Sequence, residues 1–192
     1  LNDGLSETRH VFLAGNDLPA RLTPGFHVAE LGFGTGLNLL ALLIANPSVP
    51  IRYTSFEAFP LTADEIARAL NHFPEAEAVA APFLSQWAAG ATTLTLGPIT
   101  AEIIIGDARQ TLAASTLQAD AWFLDGFSPA KNPELWSPEI LAEVGRHTAP
   151  GGTFATYTAA GHVRRSLAEA GFHVERAPGH GRKRHMSKGQ LL

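Results

Sequence analysis

Cysteine is absent from this 192-residue chain. Its absence excludes disulfide scaffolds, cysteine-ligated zinc, iron–sulfur clusters and thiol nucleophiles together. Eight histidines are present, but no two of them have the HExxH or HxxxH spacing that places metal ligands on one face of a helix. We therefore expect no metal site.

Long hydrophobic runs are also missing. The longest candidate, residues 39–45, is closed by Asn46 and Pro47 and falls far short of the roughly 18 to 20 apolar residues that span a bilayer. The chain does not open with the basic, apolar and small-residue pattern of a secretion signal. With 45% hydrophobic and 17% charged residues, we expect a single globular domain over residues 1–192, cytoplasmic and without membrane contact.

The charge is unevenly distributed along the chain. Residues 1–160 hold 7 Lys and Arg against 16 Asp and Glu, a net of −9, whereas residues 161–192 hold 7 against 2, a net of +5. The basic final segment is either the solvated surface of a terminal helix and strand or a surface that faces phosphate groups.

Strand and helix patterns alternate along the chain. Apolar strand patterns cover residues 27–31, 51–56, 99–105, 121–124, 153–157, 172–176 and 184–190, and residues 92–96 form the first arm of a hairpin. Helical patterns lie between most of them, one with a capping box at Thr62 and Glu65. This order predicts an α/β, Rossmann-like doubly wound fold. We expect a mainly parallel seven-stranded sheet, an antiparallel C-terminal edge strand and a small helical insertion around residues 58–90.

A glycine-rich turn follows the first predicted strand, where Gly32, Gly34 and Gly36 precede a helix. Glycine there permits positive φ and a close approach of a ligand to the backbone. The Gly-x-Gly-x-Gly spacing departs from the Gly-x-Gly-x-x-Gly of dinucleotide sites, because Leu37 stands at the third glycine position. A dinucleotide oxidoreductase is thus disfavoured, while a purely structural turn remains open.

Carboxylates follow two further strands. Glu57 lies 21 positions after Gly36, and Asp107 follows the strand at 99–105. Glu57 can accept hydrogen bonds from ribose hydroxyls, and Asp107 can accept from an adenine amine. Each is alternatively a helix N-cap. Because the carboxyl ends of parallel strands meet at one edge of a sheet, the three strand ends together predict a crevice for an adenosine ligand.

This pattern resembles the class I S-adenosylmethionine-dependent methyltransferases. The resemblance implies S-adenosyl-L-methionine as cofactor, with Glu30 near its methionine portion, the glycines beneath it, and Glu57 and Asp107 at the ribose and adenine. The cofactor-binding residues it implies are Glu30, Gly32, Phe33, Gly34, Thr35, Gly36, Asn38, Glu57, Ala58, Asp107, Ala108 and Asp125.

Acid, aromatic and proline residues follow the strand at 121–124 in one short turn. Amine methylation needs an in-line approach of the nitrogen with water excluded. Asp125 suits the role of accepting the amine hydrogens, and Phe127 that of stacking on a flat substrate. The alternative is a turn cap for Asp125 and core packing for Phe127. Lys131 and Asn132 are either substrate contacts or loop surface.

The chain is also similar, more narrowly, to the methyltransferase domains of the MnmC-type tRNA-modifying enzymes. Residues 3–9, 30–38, 56–61, 122–133 and 179–186 carry this similarity. It implies methylation of the primary amine of 5-aminomethyl-2-thiouridine at the wobble position of tRNA, giving 5-methylaminomethyl-2-thiouridine. It further implies an anticodon stem-loop as partner, with a flipped base near Phe127. Phosphate contacts would come from Arg164, Arg165, Arg182, Lys183 and Arg184.

Bifunctional members of that family continue into a flavin-dependent oxidase. No Gly-x-Gly-x-x-Gly flavin motif occurs in this chain, so we expect no FAD and no oxidase domain in it, and a separate or fused FAD-dependent oxidase as a partner. Two alternatives stay open. One is a small-molecule amine methyl- or aminopropyltransferase, and the other is a catalytically silent tRNA-binding module, which the intact carboxylate set disfavours.

Overall fold

The computed structural model describes residues 4–192; Asp3, which begins the similar segment 3–9, lies outside the described residues. The strands are β1 (His27–Leu31), β2 (Ile51–Glu57), β3 (Thr93–Leu96), β4 (Ile99–Ile105), β5 (Ala119–Leu124), β6 (Thr148–Thr156), β7 (Phe172–Pro178) and β8 (His185–Leu191). The α-helices are α1 (Gly4–Thr8), α2 (Leu37–Ile44), α3 (Ala63–Leu70), α4 (Pro74–Val79), α5 (Ala81–Ala88), α6 (Ala108–Thr111), α7 (Pro138–Arg146) and α8 (Gly161–Glu169). Within residues 4–192, no helix has the length and apolar character needed to cross a membrane.

The strands form one sheet in the order β3-β4-β2-β1-β5-β6-β8-β7. The five strands from β4 to β6 in this order are parallel, whereas β3 runs antiparallel to β4 and β8 runs antiparallel to both β6 and β7. The mainly parallel α/β prediction is confirmed. The sheet has eight strands rather than seven, because the hairpin arm β3 pairs with β4. The last strand, β8, is antiparallel as predicted, but it lies between β6 and β7, so that β7 and not β8 is the edge strand.

Two hydrophobic cores cover the two faces of the sheet. Strand β5 divides between them in the alternation expected of a strand: Phe123 packs in the core beneath α2, while Trp122 and Leu124 pack in the core beneath α7 and α8. Trp122 is fully buried, and its Nε1 donates to Thr148 Oγ1 at 3.0 Å. Because both faces of the sheet are covered, a ligand can reach the parallel strands only at their ends, and the carboxyl ends all lie on the same side of the molecule.

Short helices form an insertion after β2 and a segment ahead of β1. Helices α3, α4 and α5 form the insertion predicted around residues 58–90, and the capping box is confirmed: Glu65 N donates to Thr62 Oγ1 at 3.3 Å and Thr62 N to Glu65 Oε2 at 2.8 Å. Ahead of β1, α1 continues into a π-helical turn (Arg9–Leu13) and a 3-10 turn (Ala14–Asn16). This N-terminal helical segment brings α1 against α2 at the carboxyl end of the sheet.

Candidate active site

A cleft of about 1120 Å³ opens at the carboxyl ends of the parallel strands. It lies where β1 has β2 on one side and β5 on the other, the switch point at which doubly wound sheets bind their ligands. The predicted site residues that line it are Gly32, Phe33, Gly34, Thr35, Asn38, Glu57, Ala58, Asp107, Ala108, Asp125, Phe127, Lys131, Asn132 and Lys183. Those outside the lining are Glu30, Gly36, Arg164, Arg165, Arg182 and Arg184. The binding role of each residue stays a prediction.

The glycine-rich turn brings two chain segments into close approach. Gly32 has φ +89°, and a Cβ at this position would lie 2.5 Å from the carbonyl oxygen of Asp125. Gly34 has φ +55°, and beyond its own chain neighbours no atom of residues 4–192 lies within 4 Å of the position that a Cβ would take; its N–H donates to Glu57 Oε2 at 2.9 Å. Glycine is therefore required at Gly32 by packing, whereas at Gly34 it leaves open space above the backbone.

A buried hydrogen-bond network lies at the floor of the cleft. The Asn38 Nδ2 group donates to Glu30 Oε1 and to Asp125 Oδ2, both at 2.7 Å. Ser55 Oγ donates to Glu30 Oε2 at 2.7 Å, and Thr8 Oγ1 donates to Asn38 Oδ1 at 2.9 Å. Glu30 is fully buried and lies beneath Asn38 rather than in the cleft. One amide thus connects two carboxylates.

Burial alters the acid–base properties of this pair. Desolvation, together with the charge of Asp125, raises the pKa of Glu30 to about 8, although hydrogen bonds from Asn38 and Ser55 act in the opposite direction. Desolvation also raises the pKa of Asp125 to about 7, against the hydrogen bond from Asn38. Two carboxylates that share one donor cannot both ionise as easily as exposed carboxylates. They therefore titrate near neutral pH.

The other two predicted acids stand at the mouth of the cleft. Glu57 accepts from Gly34 N and, at 2.8 Å, from Phe59 N. A carboxylate has about four acceptor positions, so Glu57 keeps capacity for a ligand. Asp107 caps α6 through Arg109 N at 2.9 Å and forms an ion pair with the Arg109 guanidinium at 2.5 Å, which lowers its pKa. The helix-cap alternative is thus confirmed for Asp107, which also lines the cleft.

The turn after β5 presents an aromatic ring to the cleft. Phe127 is 75% exposed, so the core-packing alternative for this side chain is wrong. Its carbonyl oxygen accepts from Trp136 Nε1 at 2.7 Å, and the Gly126 carbonyl oxygen accepts from the Tyr157 hydroxyl at 2.5 Å. These bonds hold the turn's backbone while leaving the Phe127 ring free to meet a flat molecule.

The basic residues predicted to contact phosphates occupy different places. The Lys183 Nζ group forms an ion pair with Glu7 and stands 4.4 Å from the centroid of the Tyr157 ring, inside the cleft. Arg182, Arg184 and Arg165 are exposed outside it. Arg164 is half-buried, and its Nε donates to Ala159 O at 3.2 Å. The structure therefore separates Lys183 from the surface arginines.

Several cleft residues are absent from the predicted set: Glu7, Thr8, Phe59 and Tyr157. Glu7 and Thr8 belong to the similar segment 3–9, but their distance in sequence from the glycine turn gives no sign of contact with it. Tyr157 follows β6 without a motif around it. Within residues 4–192, no group of three or more His, Asp or Glu is arranged to hold a metal ion.

The profile of a family described as S-adenosyl-L-methionine-dependent methyltransferase matches residues 73–191. The chain belongs to this family. The matched region contains the strand ends that carry Asp107 and Asp125 and the turn that carries Phe127. The methyltransferase resemblance expected from the motifs is thereby confirmed.

Two relatives are similar over nearly the whole chain. The tRNA 5-methylaminomethyl-2-thiouridine biosynthesis bifunctional protein MnmC of Chromobacterium violaceum is 44% identical over 203 residues, which cover 98% of this chain and 31% of the relative. The protein of the same name from Caulobacter sp. is 48% identical over 199 residues, covering 95% and 33%. The chain thus spans about a third of the length of these relatives.

Solved structures agree with the fold. MNMC2 from Aquifex aeolicus has a TM-score of 0.74 and 26% identity, with coverage of 96% of this chain and 60% of that one. The amino pentose methyltransferase CalS10 from Micromonospora echinaspora, solved with S-adenosylmethionine bound, has a TM-score of 0.55 at 13% identity, covering 99% and 89%. The second similarity concerns the fold alone.

Proposed function

We propose that this chain transfers a methyl group from S-adenosylmethionine to the primary amine of 5-aminomethyl-2-thiouridine in tRNA. The observation that carries the proposal is the hydrogen bonding of the Asp125 carboxylate, which leaves one of its two oxygens free. Its Oδ2 is held by Asn38, while its Oδ1 has no hydrogen bond within residues 4–192 and belongs to a side chain that lines the cleft. A free carboxylate oxygen beside an exposed phenyl ring is suited to an amine on a flat heterocycle.

The residues present fit the proposed cofactor. The open space above Gly34 and the unused acceptor positions of Glu57 suit a ribose, and the carboxylate of Asp125, which lines the cleft, suits a cation. When bound, S-adenosylmethionine supplies an electrophilic methyl group attached to a sulfonium. We assign its cradle to the glycine turn, Glu57 and Asp107, with Ala58 and Ala108 beside them.

The chain's own chemistry concerns the amine and its proton. An alkylamine with a pKa near that of lysine, about 10.4, is protonated at pH 7, and the neutral nucleophile is disfavoured by roughly 4 to 5 kcal/mol. The ammonium must first give up one proton, because only the neutral nitrogen has a lone pair; the new C–N bond would then form as the bond between the methyl carbon and the sulfonium sulfur breaks. Asp125 can accept that proton at Oδ1, and its raised pKa of about 7 makes it a stronger base than an exposed carboxylate. Phe127 orients the ring that bears the amine.

Support for tRNA as substrate comes from the relatives' names and from the basic final segment. Arg182, Arg184 and Arg165 are exposed and available to phosphate groups, and Lys131 and Asn132 line the cleft. The separate or fused FAD-dependent oxidase implied by the resemblance belongs to this proposal as the supplier of the aminomethyl group.

Calorimetric titration with S-adenosylmethionine tests the cofactor site. We expect Glu57→Ala to weaken binding by about 10- to 100-fold, because hydrogen bonds to a charged group contribute about 1.5 to 3 kcal/mol. Glu102→Ala, an exposed carboxylate on β4, is the matched control and should bind like the unaltered protein. An absence of heat with the unaltered protein would favour the catalytically silent module and contradict the proposal.

Methyl transfer to tRNA that carries 5-aminomethyl-2-thiouridine tests the reaction. Asp125→Ala should lose turnover while it retains most of its cofactor affinity; unchanged turnover would exclude the role given to Asp125. Binding of tRNA should weaken steeply as salt rises. Turnover of a small amine with no such salt dependence would instead favour a small-molecule amine methyl- or aminopropyltransferase.

A further inference from the structure

The last residue of helix α1 forms a hydrogen bond to the floor of the active site. Thr8, its last residue, is 5% exposed, and its hydroxyl donates to Asn38 Oδ1 at 2.9 Å across 30 positions of sequence. Asn38 is 4% exposed, and both hydrogens of its amide are used by Glu30 and Asp125. Asn38 therefore has no amide hydrogen left for a ligand in this arrangement.

We propose that Thr8 is a positioning residue for methyl transfer: its hydroxyl, acting through the Asn38 amide, fixes the carboxylate of Asp125 so that Oδ1 remains available to the amine. The inference rests on the proposed function for its link to catalysis, but the Thr8–Asn38–Asp125 connection can be measured without any substrate.

The orientation of the amide is the reason for this role. The oxygen and nitrogen of an asparagine amide are similar in shape, so packing alone does not decide which of them faces the carboxylates. A donor on Oδ1 favours the orientation in which Nδ2 faces Glu30 and Asp125. It also polarises the amide and strengthens the two hydrogen bonds that Nδ2 donates.

Removal of the Thr8 hydroxyl would leave Asn38 Oδ1 buried without a partner. Such an acceptor is costly, so the amide would turn toward another donor and loosen its hold on Asp125. Since a hydrogen bond to the charged form of a carboxylate lowers its pKa, a weaker bond from Asn38 raises it. The Asp125 carboxyl should then stay protonated to a higher pH, and its free oxygen should lose its fixed direction.

Other ionisable groups also act on this pair of carboxylates and must be unchanged in the test. Those facing it from the packed elements are Tyr53 on β2, Glu7 on α1, Tyr157 after β6 and Lys183 before β8. Thr8 contributes no charge to this set. A substitution that removes only its hydroxyl therefore leaves the number of charges around Asp125 the same.

The test is a carboxyl ¹³C NMR titration of the whole unliganded chain, with the Asp125 signal assigned by its loss in Asp125→Asn. In Thr8→Val we expect the apparent pKa of Asp125 to rise by about one unit, and in Thr8→Ser to return to the original value. Thr54→Val is the matched control, because Thr54 is also 5% exposed and its hydroxyl meets His27 Nε2 at 2.8 Å, away from the cleft. Thr8→Ala removes the same hydroxyl with less bulk and should give the same shift.

Methyl transfer adds the functional measurement. In Thr8→Val the acid limb of the pH profile of kcat should shift to higher pH by the same amount as the pKa measured by NMR. The KM for S-adenosylmethionine should change little. An unaltered Asp125 titration in both Thr8→Val and Thr8→Ala would overturn the inference, as would an equal shift in Thr54→Val. If the titration shifts but tRNA is not methylated, the substrate proposal fails and the positioning of Asp125 by Thr8 stands.

Discussion

Replacement of Glu30 by glutamine should change how the stability of the protein depends on pH. Burial raises the pKa of Glu30 from 4.5 to about 8, so the folded state holds a proton that the unfolded state releases between these values. Stability should therefore fall as pH rises from about 4.5 to about 8. A shift of this size corresponds to about 5 kcal/mol when it is fully expressed above pH 8, at about 1.4 kcal/mol per pH unit.

Glu30→Gln removes that proton equilibrium and keeps the shape of the side chain. At pH 5.5 the original carboxyl is protonated, so the substitution should cost only about 1 kcal/mol, the value of one disturbed hydrogen bond with Ser55 or Asn38. At pH 8.5 the neutral amide avoids the buried charge, and the variant should be the more stable protein.

Urea unfolding without cofactor at several pH values between 5.5 and 8.5 measures this effect. The free energy of unfolding of Glu30→Gln should decline less steeply with pH than that of the unaltered protein, by up to one proton's contribution. Glu102→Gln, at an exposed carboxylate on β4, should follow the original slope. Parallel curves for Glu30→Gln and the unaltered protein would refute the reasoning that Glu30 is a buried carboxyl with a raised pKa.

Three further predictions concern the glycine turn, a helix cap and the basic segment. Gly32→Ala should destabilise the fold by about 2 kcal/mol or more and abolish binding of S-adenosylmethionine, because φ is +89° and the new Cβ would meet the carbonyl oxygen of Asp125. Gly25 has a similar φ of +81° but open surroundings, so Gly25→Ala should show only the smaller backbone cost in thermal unfolding. Thr62→Ala should cost about 1 kcal/mol in urea unfolding, and a loss of stability near zero would contradict the observed capping box. In tRNA binding, Arg184→Ala should reduce the salt slope by about one, whereas Lys183→Ala, which loses an ion pair with Glu7, should leave it unchanged; equal effects would contradict the separation of the two residues.

Local patterns sufficed to predict much of the scaffold. An apolar strand pattern ahead of the glycines defined the strand at 27–31, the capping box at Thr62 and Glu65 marked the start of α3, and the glycine turn indicated the strand-to-helix junction. These features depend on interactions between residues close in sequence, so the sequence carries them directly. Strands joined by helical crossovers run parallel, so their carboxyl ends lie at the same end of the sheet. This predicted that Glu57, Asp107 and Asp125 lie close together, and all three line the cleft.

Position in the sheet required pairing information that local patterns do not contain. Strand β8 inserts between β6 and β7 because both flanking strands offer antiparallel partners, which the order of elements along the chain does not reveal. The hairpin arm β3, by contrast, pairs with its sequence neighbour β4, as the local pattern predicted. Register and order depend on contacts between distant residues.

By itself, the sequence determined the α/β class, the family motifs and the set of acids at the strand ends, since each follows from short-range patterns and residue chemistry. Only the tertiary structure decided how those acids are connected. It buried Glu30 completely, joined it to Asp125 through Asn38, and brought Thr8 to the same amide. It also paired Lys183 with Glu7 in the lining of the cleft, whereas Arg182 and Arg184 lie outside that lining. Burial and long-range hydrogen bonds set the pKa of a carboxyl, and both arise only when distant segments pack together.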